Sequence, residues 1–576
     1  MKRLFNDHNI RNVIDLNGAW LFKADPDKSG VDLGWGGGLP CGETVTVPSC
    51  WNTHLGMYNY EGVCWYQKKF VTDGGTLFIE FGSVMTEAMV WLDGIYLGDH
   101  YGAFTQFDFI VNDVQEGEHT LVVRADSTIT EKSFPQRYTD WYNYGGIARD
   151  VAAHELKGIS ILVNHVKYDL SSDLKNASVY CDIELYNTND AEATESISIT
   201  IDDTAIYSGK ITLGSHEKVK ITTPVYEFSD VELWQMESPR LYTVTAKTDS
   251  DDLIDRVGFR KIEVSNNDIL LNGKSIELRG VNRHEEHPDW GFAFPTGLMK
   301  KDIDLIKYMG CNTIRGSHYP QTQFFIDLLD ESGILFWSEI PMWGCGFGEK
   351  ALNDPDIVAH GFQFHQEMVK YYYNHPSIII WGLHNEVNSK LECVREFSIV
   401  WADFLRKNGG NRLITHASNH PNDDICYDLD DIICINIYHG WYNYYGGAGS
   451  FSDWDKQVDT LRERLKSLNL YGTPVIMSEF GAAALAGYHQ HFDSGIKWSE
   501  EYQRDIIEYC LELFHKTEYM RGFYVWQFAN IRTSPSMDIN RVRYYNNKGI
   551  VDEHRNPKAS FFKIKELYNK YANEES

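Results

Sequence analysis

Two glutamates carry the chemistry this sequence is equipped to do. Ser377-Ile-Ile-Ile-Trp-Gly-Leu-His-Asn-Glu386 is an apolar run that stops in three polar residues, and Thr473-Pro-Val-Ile-Met-Ser-Glu479-Phe-Gly repeats the design. Each reads as a strand buried on both faces that delivers its last side chains to a cavity. A pair of carboxyl groups so placed is the minimum equipment for cleaving a glycosidic bond. Either glutamate alone would read as an ordinary solvated strand end, because loops are where charge normally sits. The pair, not the single residue, points to catalysis.

The elements that must position them come in three blocks, and 576 residues are more than one hydrophobic core serves. Residues 1–160 alternate short apolar-aromatic runs, such as Thr76-Leu-Phe-Ile-Glu-Phe81, with turn residues, and Asp93-Gly94 is a strong hairpin signal. Their aromatics (Trp51, Trp65, Tyr66, Trp141, Tyr142, Tyr144) suit either a sugar-stacking face or a sandwich core, and core is the expectation. In residues 161–265, Val179, Cys181, Ile183 and Leu185 alternate with polar neighbours, as do Ile197, Ile199 and Ile201, which predicts an immunoglobulin-like β-sandwich with a bracing role.

From 266 to 576 the rhythm is strand then helix. Strands are expected at Ser275–Arg279, Asn312–Ser317, Ile334–Glu339, Ser377–Leu383, Leu413–Ala417, Asp431–Ile437, Thr473–Ser478 and Arg521–Phe528. Helical spacing lies between them, as in Met299, Ile303, Ile306 and Met309. The pattern fits a (β/α)8 TIM barrel, with the active site at the carboxyl ends of its strands. Glu386 then ends the fourth strand and Glu479 the seventh.

Composition narrows the function. A net charge of −29 argues against nucleic acid or an anionic membrane as partner, yet an anionic small substrate needs only one or two well-placed cations. Ten cysteines without paired spacing read as small buried hydrophobes of a reducing compartment. No metal or other cofactor is expected, since no His/Asp/Glu cluster has ligand spacing. Met1-Lys-Arg-Leu-Phe-Asn-Asp-His8 lacks the apolar core of a signal peptide, and no stretch reaches bilayer length, so cytoplasmic residence is expected.

Phe81-Gly-Ser-Val, Val90-Trp-Leu-Asp-Gly, Asn282-Arg-His-Glu, Ser317-His-Tyr-Pro, Asn385-Glu, Ser478-Glu-Phe-Gly and Asn546-Asn-Lys-Gly follow one another along nearly the whole chain. In that order they resemble glycoside hydrolase family 2 and, within it, the β-glucuronidases. The resemblance implies a jelly-roll β-sandwich, an immunoglobulin-like β-sandwich and a TIM barrel. It implies Glu386 as general acid/base and Glu479 as nucleophile of a retaining double displacement, which requires carboxyls about 5–5.5 Å apart. By motif match, Asn385 faces the sugar 2-hydroxyl and Tyr438 stands beside the nucleophile, with Tyr442 a further contact. Asp140 and His284 match positions at the far side of the sugar, and Trp526 the tryptophan beneath it. For Asp140 and His284 a purely structural hydrogen-bond network is the competing reading.

Asn546 and Lys548 match the pair that grips the sugar carboxylate, where an amide and an ammonium converge on an acid group. Outside that context the same residues are only a turn with an exposed lysine. The family's arginine before this motif corresponds to Arg541 or Arg543, because Arg541-Val-Arg-Tyr-Tyr545 is one residue longer than the family pattern. The short Trp343–Asn353 stretch implies a site open to large aglycones or oligosaccharide ends. Alternatives are a β-galactosidase, β-galacturonidase or β-mannosidase of the same family, or a non-catalytic carbohydrate-binding protein. Self-association as a homodimer or tetramer is expected by resemblance alone.

Overall fold

The computed structural model describes residues 2–137, 139–344, 347–442, 450–490, 495–534 and 541–575. In the first unit two antiparallel sheets enclose a core. One runs in the order Asn12–Asp15, Val151–Leu156, Gly75–Phe81, Phe107–Val114. The other runs Glu43–Val47, Gly18–Asp25, Val63–Thr72, Gly117–Asp126, Glu87–Leu92, Ile95–Tyr101. Leu77 and Ile79 of the first sheet meet Val90 and Val123 of the second. Asp93 and Gly94 both take positive φ, 50° and 82°, which is what a two-residue hairpin joining Leu92 to its partner Ile95 demands.

All six singled-out aromatics are buried, as expected of core. Trp141, Tyr142 and Tyr144, however, pack with Phe292, Tyr319 and Ile531 of the third unit, so they belong to a joint.

The second unit pairs two four-stranded antiparallel sheets, and the alternation read from the sequence is the one observed: Val179, Cys181, Ile183, Leu185, Ile197, Ile199 and Ile201 all face inward. It meets the barrel through Trp234, whose Nε1 donates to the Asp330 carbonyl at 2.9 Å.

The third unit is a closed parallel barrel. Its strands are β1 (Leu278–Arg283), β2 (Thr313–Gly316), β3 (Leu335–Glu339), β4 (Ile378–Asn385), β5 (Leu413–Ser418), β6 (Ile433–Asn436), β7 (Val475–Phe480) and β8 (Met520–Val525). Seven lie where periodicity places them. The first is displaced: Lys274–Ile276 turns back at Asn272-Gly273 and pairs with Asp268–Leu271, while the fully buried Leu278–Arg283 enters the barrel. The hairpin signal at Asn272-Gly273 was real, but it ends a separate small sheet. Among the described residues no helix is long and apolar enough to cross a membrane. Every described cysteine is free; most are buried, but Cys41 is exposed and Cys393 half-buried, and Cys345 lies outside the described residues.

The first unit is seated on the barrel mouth by a buried ion pair. Arg149 donates to Glu285 Oε2 at 2.8 Å, to the Pro320 carbonyl at 2.7 Å and to the Phe104 carbonyl at 2.9 Å, and the Phe104 ring stacks on Tyr319 at 3.8 Å. Removing one partner strands a buried charge. Arg149→Met is therefore expected to destabilise the folded chain by about 3–5 kcal/mol in urea unfolding, and a loss under about 1 kcal/mol would show that the seat does not rest on this pair.

Candidate active site

The two glutamates lie at the carboxyl ends of two strands of one barrel, β4 and β7, with β5 and β6 between them. β4 ends at Asn385, and Glu386 turns out of it with φ 51°, its N–H donating to the Ala417 carbonyl of β5 at 2.8 Å. Its Oε1 accepts from Asn436 Nδ2, at the end of β6, at 2.9 Å. Glu479 is the penultimate residue of β7 and is buried. Its Oε2 accepts from the Tyr438 hydroxyl at 2.7 Å and its Oε1 from Arg315 Nη1 at 2.8 Å.

Arg315, on β2, is the hub that sequence reasoning did not name. It grips Glu339 of β3 with two bonds, 3.0 and 2.9 Å, and also donates to Asn282 Oδ1 at 3.1 Å and Asn385 Oδ1 at 2.6 Å. Burial alone would lower its pKa; the charges of Glu339 and Glu479 raise it, so it stays cationic. His318, driven far below the usual imidazole range by burial and by Arg315, is neutral and donates from Nδ1 to Glu339 at 2.7 Å. The signal was present: Arg315 and Glu339 are charged residues inside runs otherwise apolar enough to be buried strands.

Among the predicted site residues, two buried polar atoms remain unanswered. Asn385 Oδ1 is filled by Arg315 and by Asn436 Nδ2 at 3.1 Å, which leaves its buried Nδ2 without a partner among the described residues. His284, held neutral by burial, meets the Tyr319 hydroxyl at Nδ1 at 3.1 Å; because that hydroxyl already accepts from the Glu285 N–H at 3.2 Å, its own hydrogen is assigned to Nδ1, which puts the imidazole hydrogen on Nε2, an atom with no partner among the described residues. Buried donors without acceptors are costly unless a ligand supplies them. Trp526 lies edge-on to His284 at 5.5 Å and parallel to His318 at 5.0 Å.

A second wall gathers the remaining predicted residues. Asp140, from the first unit, accepts from Arg541 at 2.8 and 2.5 Å and from Asn546 Nδ2 at 2.7 Å. Arg541 also donates to the Tyr442 hydroxyl at 3.2 Å, and Lys548 Nζ donates to the same oxygen. Arg543 instead turns outward to Glu553 at 2.8 Å, so of the two arginines it is Arg541 that lines the wall. The wall thus sets two basic groups, Arg541 and Lys548, beside the Asp140 carboxylate. Burial, then the charge of Arg541, drives Lys548 far below the usual lysine range.

Burial and the charge of Glu386 push Glu479 up to about 8, against the pull of Arg315 and Tyr438. Sequence reasoning gives the negative charge to Glu479; burial works against that, and the two hydrogen bonds work for it. Close buried carboxyls titrate as a pair and retain a proton between them.

Two His/Asp groupings come within ligating distance of a metal: His287, Asp289 and His554, and Asp327, Asp330 and His375. In the second, Asp327 is taken by Arg3 and Asp330 by the Ser377 N–H. Neither includes Glu386 or Glu479.

A parallel barrel with two carboxyls at its strand ends, one of them held by an arginine and a tyrosine, defines a glycoside hydrolase. The Glycosyl hydrolases family 2 TIM barrel domain matches residues 262–573, the Glycosyl hydrolases family 2 model matches 160–260, and the family's sugar binding domain matches 13–156; the chain belongs to this family. It is 27% identical to a β-glucuronidase of Paenibacillus borealis over 96% of each chain. Among solved structures it is similar to a GH2 β-galacturonidase from Eisenbergiella tayi bound to galacturonate (33% identity, TM-score 0.91, 99% of each chain). It is also similar to the β-glucuronidase of Ruminococcus gnavus (26% identity, TM-score 0.86, 99% of each chain).

Behind Glu386 lies a buried support. Asp424 accepts from the Ser389 and Ser418 hydroxyls, from His416 Nε2 at 3.0 Å and from the Cys426 N–H at 2.7 Å, tying the turn after β4 to the end of β5. Asp424→Asn keeps the volume but turns an all-acceptor group into a part donor. It is expected to slow glycosides with poor leaving groups about tenfold more than activated aryl glycosides, since only the former depend on a well-aimed acid. Equal slowing of both would assign Asp424 to stability alone.

Proposed function

We propose that this chain is a retaining β-glucuronidase, releasing terminal β-D-glucuronic acid by a two-glutamate double displacement. The observation that carries the reading is the buried wall of Arg541 and Lys548: Asp140 already answers Arg541, and burial with the charge of Arg541 holds Lys548 far below the usual lysine range, so a sugar carboxylate supplies the counter-charge that a protonated Lys548 needs and a neutral sugar does not. The similar proteins of Paenibacillus borealis and Ruminococcus gnavus carry the name β-glucuronidase.

Glu479, whose charged form Arg315 and Tyr438 stabilise against burial, attacks the anomeric carbon while Glu386 gives its proton to the leaving oxygen. A glycosyl-enzyme ester forms, and Glu386 then takes a proton from the water that hydrolyses it. The free Asn385 Nδ2 meets the 2-hydroxyl, His284 Nε2–H meets a hydroxyl on the far side, and Trp526 lies under the ring. Tyr442 and Asn546 orient Lys548. The short Trp343–Asn353 stretch, of which 345 and 346 lie outside the described residues, leaves the leaving-group side open to large aglycones. Self-association belongs to the same reading, and sedimentation of the purified chain measures it.

A β-galacturonide is the second reading, favoured by the higher identity to the galacturonidase and by Asp140, whose two oxygens are committed to Arg541 and Asn546. The two sugars differ at C4, so a panel of aryl β-D-glucuronide, β-D-galacturonide and β-D-galactoside separates them. Turnover is expected to be highest on the glucuronide, to fall on the order of 10⁴-fold in Glu479→Gln, and to fall about 10- to 100-fold on acid sugars alone in Lys548→Ala. Preference for the galactoside would overturn the proposal.

Binding a carboxylate raises the depressed pKa of Lys548, so the complex holds more protons than the free enzyme. Affinity for the acid sugar should therefore fall as pH rises through the free-state pKa of Lys548. Calorimetry in buffers of different ionisation heat reads the proton uptake directly; none at any pH would show that Lys548 is already charged or is not engaged.

A further inference from the structure

On the opposite side of the barrel from the glutamates, where the second unit meets it, lies a cleft of about 260 Å³ with a cationic wall. Lys167 comes from the strand Ile159–Leu170, Arg260 from the link into the third unit, Arg406 and Lys407 from the end of the helix Glu392–Asn408, and Arg412 from the turn before β5. Among the described residues lining it, Asp169 is the single carboxylate.

The pairing of these cations leaves an excess of positive charge. Lys167 meets Asp182 at 2.6 Å, but Asp182 is shared with Lys220 at 3.5 Å. Arg406 approaches Asp431 only to 3.6 Å. Among the described residues Arg260 and Arg412 have no carboxylate at ion-pair distance, and Asp330 acts on both only from farther off. Arg260 donates to the Pro376 and Ile378 carbonyls at 3.0 and 2.7 Å, and to Asn411. Arg412 donates to the Ile378, Gly409 and His375 carbonyls at 3.1, 2.8 and 2.9 Å.

Those carbonyls close helix ends and satisfy N–H directions, a sufficient reason for one arginine here. They bring dipoles but no net charge, and both guanidiniums share the Ile378 oxygen. Burial and the charge of Arg260 together depress Arg412 to about 10. In a chain of net charge −29, a concave patch that keeps five cations against one lining carboxylate is an exception that needs a counter-charge.

We propose that this cleft binds a small polyanion of the phosphate or phosphate-ester class. With Arg260 and Arg412 supplying charge from behind their carbonyl bonds, the ammonium groups of Lys167 and Lys407 and the Arg406 guanidinium can meet the several acceptor oxygens of a tetrahedral dianion. The volume admits one small molecule. β4 separates this cleft from the glutamates: Pro376 and Asn411 lie before the amino ends of β4 and β5, while Glu386 follows the carboxyl end of β4, about 25 Å of strand away.

The test is calorimetric titration of the full chain with inorganic phosphate and pyrophosphate at constant ionic strength, beside Lys407→Ala and Lys167→Ala. Both lysines are partly exposed, so their removal leaves the fold intact, and neither touches the candidate active site. Saturable binding in the parent chain is expected, weakened about fivefold or more in each variant, with glycoside turnover unchanged. Equal binding in all three proteins, no saturable binding in the parent, or displacement of the anion by a uronic acid would each overturn the proposal; the last would move the anion to the Lys548 wall. Because the readout is binding, it stands or fails independently of which sugar the glutamates cleave.

Discussion

A single buried guanidinium organises this site. Arg315 reaches two carboxylates and two asparagines from the end of β2, and its charge is retained in a fully buried setting only because Glu339 and Glu479 both face it. The arrangement is costly to break from either side, since each partner would become an unpaired buried charge. It also gives the two glutamates unlike surroundings: Glu479 receives an arginine and a tyrosine, whereas the bond described at Glu386 comes from the neutral amide of Asn436. Two chemically identical side chains can then take opposite parts in one reaction.

The same logic of incomplete compensation runs through the pocket. Asn385 and His284 each have one side engaged by the protein and one buried donor left over. In the Arg541–Lys548 wall Asp140 answers Arg541, and Lys548 can carry its charge only if a further acid group meets it. Taken together, these leftovers describe a ligand with hydroxyl acceptors on one flank and an acid group on another, which is the outline of a uronic acid. Stability alone would favour closing each of these contacts within the chain.

Much of this was legible in the sequence because its elements obey strong periodicities. Strands buried on both faces announce themselves as unbroken apolar runs, which is why β4 and β7 and the glutamates at their ends could be located directly. The barrel's first strand was misplaced because Ser275–Arg279 straddles a hairpin arm and the true strand, and a short apolar run does not say which sheet it joins. Arg315 and Glu339 escaped notice since each looks like an isolated charge until the fold brings β2 and β3 side by side. Choosing between Arg541 and Arg543 was likewise beyond local pattern: two residues apart on one turn, they point in different directions, one into the wall and one to Glu553.

Asp140 belongs to the earliest of the three units, and Arg541, Asn546 and Lys548 lie close to the carboxyl terminus. This wall is therefore assembled from segments about four hundred residues apart, one in the first unit and one after β8. It exists only while the first unit is docked on the barrel. On the proposed reading, loosening that docking would spare the cleaving pair and weaken the grip on the sugar's acid group.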